Sequence, residues 1–409
     1  MDPYRHLDPD TSYLLEVLRD LISFETVAPP GRFYHQIVDY LIPVFVDLGF
    51  DVEKIVIPPE VFREKCDLPG LEGDRVNLRA RLDADAEETV VIYTHLDVVP
   101  PGEGWSTDPF DITIRGGRVY GRGVADSKGA VAALIAALRM IDTRGKHRYN
   151  LEVVLTTDEE VGGYSGLCYL ADTGLIQGDY MLCMDSFSDD VVIGSNGIIT
   201  WQVTVHGRSV HSGASFLGVN AIEEALPVIE AILGHKSEVE SRRSSLRASS
   251  ELEEFGVTRV RPMLNVSVIR GGIKENIVPE RCTIRGDRRV VPDERMEDAV
   301  AEMERILEGL EKNVDWKFWM GYPPMCIDPR HPWVGRVSDA LEKAARRKPE
   351  LVGVQYSLEQ SYAAEVTGIP ACAYGVGRQT DSNPHGADEN VTLEDLDTYI
   401  KFLAVLLMR

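Results

Sequence analysis

Short, mainly apolar runs, each stopping at an acidic residue or a histidine, mark out the first half of this chain. Val90-Val91-Ile92-Tyr93-Thr94 has the length and β-branched content of a buried strand, and it delivers His95 and Asp97 at its end. Leu151 to Thr157 repeats the pattern and stops at Asp158-Glu159-Glu160, and Met181 to Met184 stops at Asp185. Asn77 to Leu82 and Ala371 to Gly375 predict further strands. Between them the period changes to that of helices. Tyr13, Leu14, Val17, Leu18, Leu21 and Ile22 share one helical face, and Val38, Leu41, Ile42, Phe45 and Val46 another. Pro43 falls inside the second pattern, so that helix is either kinked there or starts later than its periodicity suggests. Ala130 to Leu138 reads as a buried helix, and helices are predicted over 333–347, 360–367 and 393–407. Pro58 to Gly73, rich in Pro, Gly and charge, reads as a surface excursion. Alternating strands and helices over 77–198 predict an α/β sheet with helices on both faces and its functional residues at the carboxyl ends of strands.

The texture changes at about residue 199. Strands at 199–206, 264–269, 282–289 and 314–320 enclose helices at 221–233 and 294–310. The order βαββαβ is that of a ferredoxin-like α+β unit. Within it, the charged segment Lys236 to Glu254 reads as a solvated insertion, helical or irregular, rather than a binding element. After Tyr322 the α/β pattern resumes. The expected organisation is a discontinuous domain, 1–198 and 322–409, carrying an inserted one, 199–321.

Composition narrows the function. The chain has 409 residues, 44% hydrophobic, enough for two cores, and a formal net charge of -23 that argues against nucleic acid or an anionic membrane as partner. Met1 to His6 lacks the basic start and apolar core of a secretory signal, and the longest apolar run ends at Arg139, far short of a membrane span. Six cysteines without a Cys-x-x-Cys pair suit the reduced thiols of a cytoplasmic protein.

The chemistry-bearing residues are His95, Asp97, Asp126, Glu159, Glu160, Asp185 and His385. His95 and Asp97, two apart on a strand, share a face. Imidazole mixed with carboxylate suits zinc, or cobalt and manganese, better than ions that prefer thiolate. Glu159 and Glu160 diverge if the backbone is extended, so one can be a ligand and the other a base. Singly, each has a bland reading: a strand-end Asp caps a turn or helix, a Glu pair lies in a solvated loop, and His385 beside Asn383-Pro384 is a turn histidine. Placed together at strand ends of one sheet, they form a shared metal site.

Thr94-His95-Leu96-Asp97-Val98-Val99-Pro100, Trp105 with Pro109-Phe110, Gly121 to Gly129, Thr157 to Gly163 and the late His385 together resemble the co-catalytic metallopeptidase family (clan MH) of aminoacylase-1, carboxypeptidase G, acetylornithine deacetylase and succinyl-diaminopimelate desuccinylase. The resemblance spans nearly the whole chain. It implies a zinc-exopeptidase-like α/β/α catalytic domain with an inserted ferredoxin-like lid and dimerisation domain. It further implies two Zn²⁺, replaceable by Co²⁺ or Mn²⁺, one held by His95 and Asp185 and the other by Glu160 and His385, with Asp126 between them. Asp97 would orient His95, Asp126 would precede a cis peptide, and Glu159 would be the general base. In the inserted domain His211 matches a histidine that reaches the neighbouring subunit's site, its rival reading being a helix-start or loop histidine. Asn276 matches a substrate-contacting loop, whose rival is a hairpin turn. Arg289 matches a clamp on a substrate carboxylate, with Arg285 and Arg288 close by.

The chain departs from the desuccinylase pattern at Glu359 to Tyr362, where a Gly/Ser-rich stretch with Asp and Arg is usual, and at Ser195-Asn196, which replace basic residues, so a succinylated diacid is disfavoured; Arg378 is a candidate replacement anion contact or a solvent-facing arginine. The expected function is hydrolysis of the amide bond of an N-acyl amino acid or short peptide with a free carboxylate, by a cytoplasmic homodimer. Alternatives are a dipeptidase or carboxypeptidase, a mononuclear enzyme, and a catalytically silent metal-binding peptide binder.

Overall fold

The computed structural model describes residues 9–65, 70–144, 146–187, 189–310 and 312–409. Cys66 and the N-terminal segment read above for a signal lie outside them. The chain divides into two compact units, one of Met1–Ile193, Ile327–Val352 and Tyr362–Arg409, the other of Gly194–Cys326 and Gly353–Ser361.

In chain order the first unit opens with α1 (Thr11–Ser23), α2 (Tyr34–Asp47), β1 (Asp51–Val56), α3 (Pro59–Lys65), β2 (Val76–Leu82) and β3 (Thr89–His95). There follow β4 (Thr113–Arg115), β5 (Arg118–Tyr120), α4 (Lys128–Arg144), β6 (Asn150–Thr156), α5 (Leu167–Asp172), β7 (Tyr180–Cys183) and β8 (Val191–Ser195), which leads into the second unit. That unit contains β9 (Gly197–His206), α6 (Ala221–Ser241), β10 (Met263–Gly271), β11 (Arg281–Val290), α7 (Met296–Glu308), β12 (Val314–Met320) and β13 (Met325–Cys326). The rest comprises α8 (Pro332–Ala345), β14 (Leu351–Val354), α9 (Glu359–Thr367), β15 (Ala371–Ala373), β16 (Asn390–Thr392) and α10 (Leu393–Leu407).

The first unit is built on a mixed sheet in the order β1-β2-β6-β3-β7-β15-β8. Its middle, β6, β3, β7 and β15, is parallel. Those strands are buried along nearly their whole length, as expected where both faces of a sheet are covered. β1 and β2 close one side antiparallel. The apolar run of α4 packs against α1 and α10. α2 runs through Pro43 without stopping, and both Pro43 and Asp39, whose carbonyl loses its helical donor, are exposed residues. Pro58 to Gly73 is not wholly irregular, since α3 occupies part of it with no buried residue. Strand β1 escapes the apolar pattern because charge alternates along this edge strand, and β4, β5 and β16 are three residues each, too short to show a period.

The second unit is a four-stranded antiparallel sheet in the order β10-β11-β9-β12, the ferredoxin-like arrangement. Trp201, Val203 and Val205 of β9 form one core with Ala225, Val228 and Ile232 of α6 and Met303 and Leu307 of α7. Residues 236–254 begin as helix and are largely exposed, but they are not solvated throughout. α6 extends to Ser241, Arg242 pairs with Glu238, Glu294 and Glu302, and Leu246 and Ala248 are buried. Charged flanks hid the two apolar anchors. The unit also takes in 353–361, because buried Asn196 donates to the carbonyls of Arg261 and Gln355.

Candidate metal centre

His95 ends β3 with its side chain fully buried, and two neighbours fix its ring. Nδ1 lies 3.0 Å from the carbonyl oxygen of Asp97 and 3.6 Å from its carboxylate. Nε2 lies 3.0 Å from Asp126 Oδ1. Asp97 also caps the next turn, where its two carboxylate oxygens accept the N–H groups of Glu159 (3.2 Å) and Glu160 (3.1 Å). These open a single turn of 3₁₀ helix, Glu159–Val161, rather than an extended segment, and successive side chains still diverge there.

Asp126 sits on the loop before α4, and its peptide bond to Ser127 is cis, as the resemblance implied. Its carboxylate is divided: Oδ1 faces His95, and Oδ2 lies 3.1 Å from His385 Nε2. His385 Nε2 is also 3.0 Å from Glu160 Oε2. Two groups of candidate ligand atoms result, His95 with Asp126 and Asp185, and Asp126 with Glu160 and His385, each mutually within 4.8 Å. His95, Asp185 and the glutamates do follow sheet strands. Asp126 and His385 instead come from loops, which the strand pattern alone does not place.

The electrostatics fit cations. Burial and the neighbouring Asp126 push the Glu160 carboxyl up to about 7 and that of Asp185 to about 6. Hydrogen bonds to Asp126 and Glu160 raise His385 to about 10. For His95, burial alone would favour the neutral ring, but the bonds to Asp126 and Asp97 outweigh it and hold it well above its usual range. Asp126, Glu160 and Asp185 crowd negative charge against two imidazoles, an arrangement that bound cations would neutralise. Glu160 Oε1 is buried with no hydrogen-bond partner, an orphaned acceptor whose lone pairs are free to ligate a cation. The residues present fit a pair of divalent ions.

The turn bearing the two glutamates has a support that sequence reading missed. Asp158 adopts a left-handed φ of 70° and is fully buried. It accepts from Arg75 Nη1 (3.0 Å), Tyr34 OH (2.8 Å) and Ser165 Oγ (2.6 Å). An arginine directly before a buried strand was the available signal. Arg75→Met, which leaves Asp158 as an unpaired buried charge, is expected to cost about 3–5 kcal/mol in urea unfolding of the metal-free protein.

In the second unit, His211 is exposed and stands immediately before the 3₁₀ segment Ser212–Leu217, its Nδ1 accepting from Gly213 N–H at 3.0 Å. The carbonyl of exposed Asn276 accepts from Ser212 N–H at 3.0 Å, so these two candidates lie on adjoining backbone. Arg289 is half-buried, held by Asp287 (3.1 Å) and Ser357 (3.1 Å). Arg288 is removed from consideration by burial and its pairing with Glu294. Arg378 is partly exposed and its guanidinium is engaged by Asp395 through two bonds, at 2.9 and 2.7 Å.

An α/β scaffold with two imidazole–carboxylate groups sharing one aspartate defines a metal-dependent hydrolase. The chain belongs to peptidase family M20/M25/M40, whose model matches residues 91–409. It is 25% identical over 419 residues to an N-formyl-4-amino-5-aminomethyl-2-methylpyrimidine deformylase of Bacillus subtilis, across 95% of this chain and 92% of that one. It is 27% identical over 405 residues to an acetylornithine deacetylase of Vibrio campbellii, across 95% and 96%. The fold matches a metallo-carboxypeptidase of this family from Sulfolobus solfataricus with a TM-score of 0.78, at 18% identity over 96% of this chain and 98% of that chain. It also matches an aminopeptidase from Bacillus cereus with a TM-score of 0.74, at 22% identity over 98% of each. Among the described residues no helix is long and apolar enough to cross a membrane.

Proposed function

We propose that this chain removes the acyl group from an N-acyl amino acid, or cleaves a short peptide with a free carboxylate, using two zinc ions. The observation that carries the reading is the divided carboxylate of Asp126, with one oxygen toward His95 and the other toward His385. His95 and Asp185 would hold one ion, Glu160 and His385 the other, with Asp126 common to both. Mixed nitrogen and oxygen donors support zinc, with cobalt or manganese as substitutes. A deformylase and a deacetylase among the relatives support a deacylase.

Bound at this centre, the ions would acidify water and withdraw electrons from the substrate carbonyl. Glu159 takes a proton from the attacking water as its oxygen adds to the carbonyl carbon. The same carboxyl returns that proton to nitrogen as the C–N bond breaks, leaving a carboxylate and an amine. Asp97 keeps His95 and the Glu159–Glu160 turn in register through the bonds described above. In this reading His211 donates to the developing oxyanion, in cis or across a homodimer formed through the inserted domain. Asn276 contacts the substrate and Arg289 clamps its carboxylate. Among the described residues no two cysteines form a disulfide, which supports a cytoplasmic setting.

The test uses chelator-treated protein, reloaded with Zn²⁺ or Co²⁺ and offered N-acetyl amino acids, N-succinyl amino acids and dipeptides. Metal-restored hydrolysis of an acylated substrate is expected, with dipeptides bearing a free α-amine turned over at least about 10-fold less well, a discrimination of about 1.4 kcal/mol. Preference for dipeptides would move the chain among the peptidases, and failure to take up metal would end the reading.

A further inference from the structure

The loops that carry Asp126 and His385 meet over a buried ion pair that the reaction above leaves unused. Glu389 has no exposed surface. Its Oε1 accepts from the backbone N–H groups of Ala125 (2.8 Å) and Asp126 (3.0 Å). Its Oε2 accepts from Gly123 N–H (2.9 Å) and from Arg122 Nη1 (2.6 Å). Arg122, 1% exposed, directs Nη2 to the carbonyl of Gly386 at 2.9 Å, the residue next to His385. Its guanidinium lies 5.3 Å from the centroid of the Trp105 ring, and its own N–H donates to the carbonyl of Pro109 at 2.7 Å. Ser106 N–H adds a further tie, to Asp388 Oδ1 at 2.8 Å. Trp105, Pro109 and Arg122, conspicuous in the sequence motifs but without a chemical step, all belong to this clamp.

The two halves of the metal centre are not held alike. His95 stands on a central sheet strand, and Asp185 follows another, so the strand ladder holds that half. His385 lies on a loop whose Asn383, His385 and Asp388 all take positive φ, at 51°, 62° and 56°, and its side chain is 57% exposed. Such a loop depends on tertiary bonds for its position. Charge-assisted hydrogen bonds from one carboxylate to three backbone N–H groups and a guanidinium are strong, directional ties.

We propose that Glu389 and Arg122 are positioning residues that set the separation of Asp126 from His385, and thereby the affinity of the ion at the Glu160–His385 half relative to the ion at the His95–Asp185 half. The proposal rests on the two-metal reading above. Glu389 bonds the backbone that presents Asp126, while Arg122 reaches across to the backbone that presents His385.

The test is a Co²⁺ titration followed by visible absorption and by bound metal per chain, run on the wild type, Arg122→Lys and Glu389→Gln. Lysine keeps a charge opposite Glu389 but gives up the two-pronged fork that spans Glu389 and Gly386, and the flat contact with Trp105. Expected are two ions in the wild type and, in both variants, a first ion bound within about 3-fold of normal and a second weakened about 10–100-fold. Excess Co²⁺ should restore the two-ion spectrum. The melting temperature of the metal-free protein, measured in parallel, separates loop positioning from general loss of fold. Unchanged relative affinities in both variants would overturn the proposal. So would parallel loss of both ions with a matching fall in melting temperature in both. A wild type that takes up only one ion would instead remove the two-metal reading, and the proposal with it.

Discussion

Glu159→Gln is expected to lower kcat by about 10²–10⁴-fold while both ions stay bound. Glutamine preserves the size of the side chain and leaves the N–H that bonds Asp97, so the turn should keep its shape. It cannot accept and release a proton, which is the only part that the mechanism asks of this residue. The effect should therefore fall on kcat, with little change in KM where KM reports substrate binding. Metal content per chain, measured on the same preparation, completes the test. A variant that retains wild-type turnover would move the proton transfer away from Glu159. One that loses metal along with activity would make Glu159 a ligand or a support for Glu160 instead.

Asp126→Ala is expected to remove both ions together. Its Oδ1 and Oδ2 face opposite histidines at 3.0 and 3.1 Å, so a single substitution withdraws one donor atom from each group. Affinity should fall by more than the ~100-fold upper range for losing a supporting group, and activity should vanish at ordinary metal concentrations. Asp185→Ala is the comparison. Asp185 belongs only to the group with His95, so its loss should weaken one ion and leave the other near its normal affinity. Equal metal loading of Asp126→Ala and the wild type would sink the shared-ligand arrangement. Parallel behaviour of Asp126→Ala and Asp185→Ala would show that the two halves are not separable.

Much of this protein is legible before any coordinates, and the legible part has a common cause. Central strands buried on both faces are mostly apolar, so Val90–Thr94, Leu151–Thr157 and Met181–Met184 show themselves, the exception being Glu152, buried against Arg79. A polar residue that ends such a run stands out against it, which is how His95, Glu159, Glu160 and Asp185 become visible. The alternation of β9 and the helical period of α7 likewise announce the inserted unit. Local pattern fails where burial is supplied from far away in the chain. Leu246 and Ala248 are buried although their neighbours are charged, because backbone bonds to Val260 and Thr258 hold the segment down.

By itself the sequence determines the central strands and the longer helices, the insertion of one unit in another, and the residue types able to bind metal at strand ends, because each depends on periods of a few residues. Tertiary structure alone decides which oxygen of Asp126 faces which histidine, and that Asp97 caps the glutamate turn. It also decides that Arg75, Arg122 and Glu389 are internal counter-charges rather than surface ones. Those assignments rest on hydrogen bonds between residues dozens to hundreds of positions apart. No local pattern records them, because a buried charge is chosen by the partner that neutralises it.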